Sequence, residues 1–241
     1  MKNVVSFSLW GENPKYWKGA LENINIIKDI LPEWYIHFYV DENCKIELIN
    51  SLRFSNTEIR LVHSDFLGNT LNQQSIHSHQ GMFWRFMSSL DKDVDIFLSR
   101  DCDSRISNRE INAINEWKKT GKRFHIMRDH PYHIAAILGG MWGCRGGLMR
   151  EINLEQKIIE WTNRNIQRYN LGVDQDFLAQ IIYPLIKNEC YEHSEFNIKF
   201  MNDTHPFPTP RIDYEFVGDV FDADNMRHPD YWKIIKNNTK L

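Results

Sequence analysis

The chain has 241 residues, long enough to bury a substantial core as one domain. Hydrophobic residues make up 42% and charged residues 25%, which excludes disorder, a collagen-like repeat and a disulfide scaffold. With 29 basic and 32 acidic residues the net charge is -3, so the whole-chain charge gives no reason to expect a nucleic acid partner and any anion site must be local.

In chain order, Val4–Leu9 reads as a β-rich strand ending at Gly11. Tyr16, Trp17, Ala20, Leu21, Ile24 and Ile27 then recur at helical spacing until Pro32. Trp34–Val40 is a second, aromatic and β-branched strand closing at Asp41, and Glu58–Val62 a third, after a short helix around residues 43–53. Residues 64–78 are polar and aperiodic and read as a loop leading into a helix around Met82–Met87. Val94–Leu98 is a short strand that stops at Ser99-Arg100-Asp101-Cys102-Asp103-Ser104. Ser107 caps a helix that runs to Gly121, with Glu110 at the capping-box position, and Phe124–Met127 is a further strand. The run from Ile134 to Gly143 is apolar and punctuated by glycines, as where backbone approaches another group closely. Helices are expected near residues 154–169 and from Gly172 into Leu178, a strand at Cys190-Tyr191, and a mainly looped tail beyond residue 200 with Pro206, Pro208 and Pro210. Alternation of strand and helix points to an α/β fold, a mostly parallel sheet flanked by helices.

Cys44, Cys102, Cys144 and Cys190 are far apart and form no CxxC pair, which fits a reducing compartment and no zinc ribbon. No stretch approaches the roughly 18 apolar residues of a membrane span, and the N-terminal apolar run is short for a signal peptide, so a soluble cytoplasmic protein is expected.

The sharpest chemical feature is Asp101-x-Asp103. Ligands of open parallel sheets sit beyond the carboxyl ends of strands, where this pair falls. Two carboxylates two positions apart in extended backbone offer hard oxygen ligands suited to Mg²⁺ or Mn²⁺. An acidic turn facing water is the plain alternative.

Several segments occur together in order: Ser8-Leu9-Trp10-Gly11, Trp84-Arg85-Phe86, Arg100-Asp101-Cys102-Asp103-Ser104, Arg128-Asp129-His130-Pro131, Gly139-Gly140-Met141-Trp142-Gly143, and Phe216-Val217-Gly218. This array resembles nucleotide-sugar glycosyltransferases of the GT-A fold, including those of large DNA viruses and bacteria. Asp174-Gln175-Asp176-Phe177-Leu178 is similar to a segment of glycogenin-like and lipopolysaccharide galactosyltransferase-like enzymes. The resemblance implies one GT-A-like domain, with residues 1–103 as the nucleotide-binding half and 104–241 as the acceptor-binding half and C-terminal wrap. It implies transfer from a nucleotide sugar, UDP favoured, to a glycan acceptor.

Carried over residue by residue, Ser8, Trp10 and Asp41 would receive the nucleotide, and Arg85 would approach the diphosphate or the Asp101 loop. Asp129 would accept hydrogens from donor-sugar hydroxyls, and Gly140, with Gly139, would let the sugar ring lie against backbone. Asp101 and Asp103 would hold the cation, with a late histidine completing its shell; His193 comes first, then His205 and His228. Asp174 or Asp176 would be the base of an inverting enzyme, while Gln175 would serve a retaining one; Asp174 as a simple helix N-cap is the alternative.

Two other functions compete. Asp101-x-Asp103-Ser104 after an apolar strand, with Gly218-Asp219 and Asp222 later, imitates a haloacid-dehalogenase-like phosphatase, although that nucleophile normally follows the first strand of its domain. Eight Trp and 13% aromatic residues would also suit a non-catalytic sugar- or nucleotide-binding module.

Overall fold

The computed structural model describes residues 1–63, 67, 77–164, 172–196 and 203–238. The first half alternates as expected: β1 (Lys2–Leu9), α1 (Pro14–Ile30), β2 (Tyr35–Asp41), α2 (Ile46–Ser51), β3 (Thr57–Val62), α3 (His77–Trp84) and β4 (Val94–Ser99). Chain order then continues with α4 (Asn108–Lys119), β5 (Phe124–Arg128), β6 (Trp142–Arg145), α5 (Leu148–Glu151), α6 (Leu154–Arg164), α7 (Val173–Phe177), α8 (Tyr183–Ile186), β7 (Cys190–Ser194), β8 (Thr204–His205) and α9 (Pro229–Asn238). The sheet order is β3-β2-β1-β4-β6-β5-β7-β8, parallel except for β6, which runs antiparallel to both β4 and β5.

Strand β1 is central and buried from Val4 to Leu9. Its side chains alternate between two cores, because successive residues of a strand point to opposite faces. Val5, Phe7 and Leu9 join Ile36, Phe38, Ile96 and Leu98 against Trp17, Ala20 and Ile24 of α1 and Ile114 and Trp117 of α4. On the other face, Val4 joins Phe97, Phe124 and Trp142 against Phe83, Phe86 and Phe177. That face also carries the two serines of β1: Ser6 Oγ donates to Ser88 Oγ (3.1 Å), and Ser8 Oγ accepts from the backbone N–H of Arg85 (2.9 Å). The alternation therefore fixes the start of the 3₁₀ turns Arg85–Leu90 directly beside β1.

Local chemistry accounts for most boundaries. Asn13 caps α1 by accepting from Lys15 N–H (3.0 Å), Pro14 opens it, and the helix stops two residues before Pro32. Ser107 caps α4 as expected, accepting from Glu110 N–H (3.3 Å). Glu110 does not close the capping box. Its carboxylate turns inward to Arg100 Nε, in an ion pair whose partners are each 2% exposed at the side chain. The antiparallel strand β6 begins at the end of the segment read from the sequence as glycine-punctuated backbone and runs past it; only the pairing of Trp142 with Ser99 and Ile126 reveals it. The expected loop 64–78 and the end of the helix expected to reach residue 169 lie mostly outside the described residues. Among the described residues no helix is long and apolar enough to cross a membrane, and all four cysteines are free thiols.

Candidate functional site

Asp101 lies two residues beyond Ser99, the carboxyl end of β4, near the centre of the sheet. Its loop is tightly held: Arg100 N–H donates to Ser6 O (3.1 Å), Ser104 Oγ donates to Asp101 O (3.0 Å), and Gly19 packs on Cys102 O so closely that a Cβ there would overlap it. Asn23 Nδ2 donates to Ser104 O (2.8 Å). Both acidic side chains are thus presented by a rigid turn, which is what a binding constellation requires.

Each carboxylate meets a cation. Arg85, whose side chain is 7% exposed, donates through Nη1 to Asp101 Oδ1 and through Nη2 to Asp174 Oδ2 (3.0 Å). Lys15 Nζ lies 2.7 Å from Asp103 Oδ2. Burial, then the neighbouring Asp101 charge, raise the Asp103 carboxyl above its ordinary pKa, although Lys15 pulls it down. Burial likewise raises Asp174, which Arg85 opposes. Burial and the Asp103 charge also raise the Tyr16 phenol. The Asp101 side chain is 44% exposed and Asp103 is desolvated and repelled by it, so the pair offers an accessible set of hard oxygen donors of the kind that Mn²⁺ or Mg²⁺ takes.

Gly139 and Gly140 take a different part from the one expected. A Cβ on Gly140 would overlap Asp101 Oδ2, and one on Gly139 would overlap Asp174 Oδ2. The glycine pair packs against the two carboxylates themselves, and Ser99 Oγ holds it by donating to Gly139 O (2.7 Å). Arg85, Asp101, Asp174 and the glycine pair form one contiguous cluster.

Of the remaining candidates, Ser8 is 7% exposed and its hydroxyl accepts from Arg85 N–H. Trp10 packs edge-on against Trp84 at 5.9 Å and covers Gly81. Asp41 closes β2 and accepts from the N–H and Nδ2 of Asn43 (both 2.9 Å). Asp174 is not the N-cap of α7; Gly172 is, with a left-handed φ of 90°, and Asp174 faces inward, while Gln175 is half-buried and Asp176 exposed.

Asp129 is corrected by its surroundings. It is 0% exposed, and its oxygens accept from Arg109 (2.8 and 3.0 Å), Arg211 (2.6 Å) and the N–H of Val217 (2.9 Å). These bonds occupy the lone pairs that sugar hydroxyls would need. Asp129 is a clasp between β5, α4 and the C-terminal segment. Its neighbour Arg128 pairs instead with Glu192 (2.8 Å).

His193 is also displaced from the role expected of it. It lies on β7, separated from β4 by β6 and β5, about 14 Å away at ~4.8 Å per strand. It is 0% exposed, shares a 2.8 Å hydrogen bond with His125, and has its pKa lowered to about 4, chiefly by burial. His205 stacks on Tyr191. His228 is the late histidine tied to the acidic loop: its N–H donates to Val220 O (2.8 Å), Val220 bridges to Ser104, and Phe221 N–H donates to Asp103 O (2.8 Å). The Nδ1 of His228 is buried without a partner. Among the described residues, no three His, Cys, Asp or Glu side chains are grouped closely enough to hold a metal by themselves.

Solved structures reproduce this architecture. An active-site mutant of LgtC aligns over 99% of this chain and 97% of its own, with a TM-score of 0.53 and 13% identity. The galactosyltransferase LgtC in complex with donor and acceptor sugar analogs aligns over 80% of this chain and 73% of its own (TM-score 0.51, 15% identity). The fold is GT-A. A glycosyltransferase involved in glycosylation of the major capsid of PBCV-1 is similar over 81% of this chain and 82% of its own (TM-score 0.50, 12% identity). No protein-family model matches the chain, and no curated protein matches it by sequence. Within the GT-A fold, Lys15, Tyr16, Arg109 and Arg211 are the site and clasp residues that sequence reasoning missed. The signal for Lys15 and Tyr16 was their place in the first turn of α1, just beyond the end of β1.

Proposed function

We propose that this protein is a metal-dependent glycosyltransferase that moves a sugar from a nucleotide sugar, UDP favoured, to a glycan acceptor. The observation that carries the reading is Asp101-x-Asp103 held rigidly at the carboxyl end of β4 in a GT-A sheet, with Asp103 desolvated and repelled by its partner. Asp101 and Asp103 would hold Mn²⁺ or Mg²⁺, and His228 replaces His193 as the candidate third ligand because its segment is bonded to the same loop. When bound, the ion stabilises charge on a departing nucleoside diphosphate.

The chain's own groups have distinct tasks in this reading. Lys15 and Arg85 neutralise the acidic pair and turn toward phosphate oxygens when the donor arrives; the planar guanidinium of Arg85 suits a bidentate contact. Asp174 holds Arg85 in place, which makes it a positioning residue, and the exposed Asp176 is the candidate base for the acceptor hydroxyl. Gln175 retains its place as the group for a retaining reaction. The phosphatase alternative has no support in a chain where three strands precede the one that ends at the acidic loop.

The test is a thermal-shift screen of UDP- and GDP-sugars with Mn²⁺ or Mg²⁺, since a ligand of the folded state raises apparent stability with concentration over Kd. A UDP-sugar shift abolished by EDTA and by Asp103→Asn is expected. A shift insensitive to both removes the metal from the proposal. If a sugar nucleotide binds but is neither transferred nor hydrolysed, the non-catalytic binding module becomes the better account; transfer left intact by both Asp174→Ala and Asp176→Ala removes these two residues from the mechanism.

A further inference from the structure

The carboxyl end of β4 is gripped from the side of the sheet opposite the acidic cluster. Successive side chains alternate there: Ser99 Oγ donates to Gly139 O (2.7 Å), Arg100 turns to α4, and Asp101 turns back to Arg85 and Gly140. Arg100 Nε donates to Glu110 in the first turn of α4. Its Nη1 donates to two carbonyls, Ser99 O on β4 (2.5 Å) and Trp142 O on β6 (3.1 Å). One guanidinium thus ties β4, β6 and α4 together at the residue next to Asp101. Trp142 opens β6 two residues after the Gly140 that abuts Asp101 Oδ2, so the same fork also fixes the backbone on the far side of that carboxylate.

This pair is poorly suited to stability alone. Arg100 and Glu110 are both buried, on the face where α4 brings Ile114 and Trp117 to the apolar core. Desolvating two charges offsets most of what their attraction returns, and apolar replacements of similar volume are often neutral or stabilising. Arg100 Nη2 is moreover buried with no hydrogen-bond partner among the described residues, a donor that has lost water without replacement. What the pair supplies is geometry. A planar fork bonded to Glu110, Ser99 O and Trp142 O admits one orientation, which an apolar side chain would not impose. The Asp101 side chain is partly exposed, so its direction depends on how the backbone leaves the strand and on Arg85 rather than on burial.

On the metal-dependent reading of the acidic loop, on which this rests, we infer that Arg100 and Glu110 are positioning residues: their buried pair fixes the backbone from which Asp101 and Asp103 reach the cation. Neither touches the ion or the donor in this arrangement. Groups that orient metal ligands from behind contribute roughly 10- to 100-fold in metal affinity.

The experiment separates geometry from stability. Full-length wild type, the double variant Arg100→Met/Glu110→Leu and a control, Ile114→Val, are titrated with Mn²⁺ in the presence of UDP. Electron paramagnetic resonance reads free Mn²⁺, and urea denaturation gives the stability of each protein. Ile114 is buried on the same helix, and its loss of a methyl group leaves the pair untouched. The double variant should be about as stable as wild type and bind Mn²⁺ roughly 10- to 100-fold more weakly. The control should be less stable with its affinity unchanged. Arg100→Lys keeps the charge opposite Glu110 but not the fork to Ser99 and Trp142; it should weaken Mn²⁺ binding by roughly tenfold, and it decides the matter if the double variant does not fold. Wild-type Mn²⁺ affinity in the folded double variant or in Arg100→Lys overturns the inference, because the pair then serves the fold alone. Equal weakening in Ile114→Val overturns it too, since any loss of stability would then act on the site. Each of those results leaves the transferase proposal standing, whereas a wild type that binds no Mn²⁺ removes both the positioning role and the metal.

Discussion

Arg85 occupies the position on which the acidic cluster turns. Its buried guanidinium bridges Asp101 and the nearly inaccessible Asp174, so removing it strands a buried carboxylate without compensation. Arg85→Met is therefore expected to lower unfolding free energy by about 3–5 kcal/mol, measured by urea denaturation at pH 7. Asp174→Asn keeps the shape and one acceptor, and should cost less. The same pairing explains why Arg85 was legible only in part: a tryptophan-flanked arginine in a helix is ambiguous until its two partners are known. At Asp219 burial outweighs Arg227 and pushes the carboxyl from 3.8 up to about 6. The folded state then holds a proton that the unfolded chain has lost, so the contribution of Asp219 to stability is fully present below about pH 4 and is lost as pH rises to about 6. A decline of about 1–2 kcal/mol is expected across that window. The difference in unfolding free energy between wild type and Asp219→Asn, measured by urea denaturation from pH 4 to 7, should change by that amount, because the opposing contribution of the buried His193 is common to both.

At the scale of elements, the Gly139–Gly140 turn and the C-terminal clasp carry the consequences. A methyl group on Gly140 would have to displace Asp101, and Asp101 is anchored by Arg85. Gly140→Ala should leave the far-ultraviolet circular dichroism intact and cost about 1–3 kcal/mol of overpacking. It should also eliminate the metal-dependent UDP-sugar shift. Retention of that shift would mean the acidic loop tolerates movement. Asp129 binds α4 through Arg109 and the C-terminal segment through Arg211 and Val217. Asp129→Ala leaves two buried arginines facing each other, so it should destabilise by about 3–5 kcal/mol and speed limited proteolysis within residues 207–217. The strand and helix periods were readable in these regions, but β6 was not. Four residues, one of them Gly143, carry too little period to declare a strand, and the partners of Trp142 lie 43 and 16 residues upstream, at Ser99 and Ile126, where no local pattern encodes them.

For the whole molecule, one continuous sheet with a single antiparallel insertion places the acidic loop of β4 between β1–β3 on one side and β5–β8 on the other. Its topology carries the C-terminal segment back across α1 and α4, so that residues more than a hundred positions apart, such as Asp103 and Phe221, share main-chain bonds. Periodicity, turn residues and capping by themselves determined the alternating α/β order and the strand that stops just before the acidic loop, while the expectation of a GT-A sheet came from the resemblance carried by the ordered motifs. They could do so because strand and helix periods and helix caps are written within a few adjacent residues. Only the tertiary structure decided which polar groups meet: Lys15 with Asp103, Arg85 with Asp101 and Asp174, Asp129 with two arginines, and His193 with His125 rather than with the acidic pair. Those pairings are set by sheet order and by burial, where each charge must find a partner supplied by a distant part of the chain.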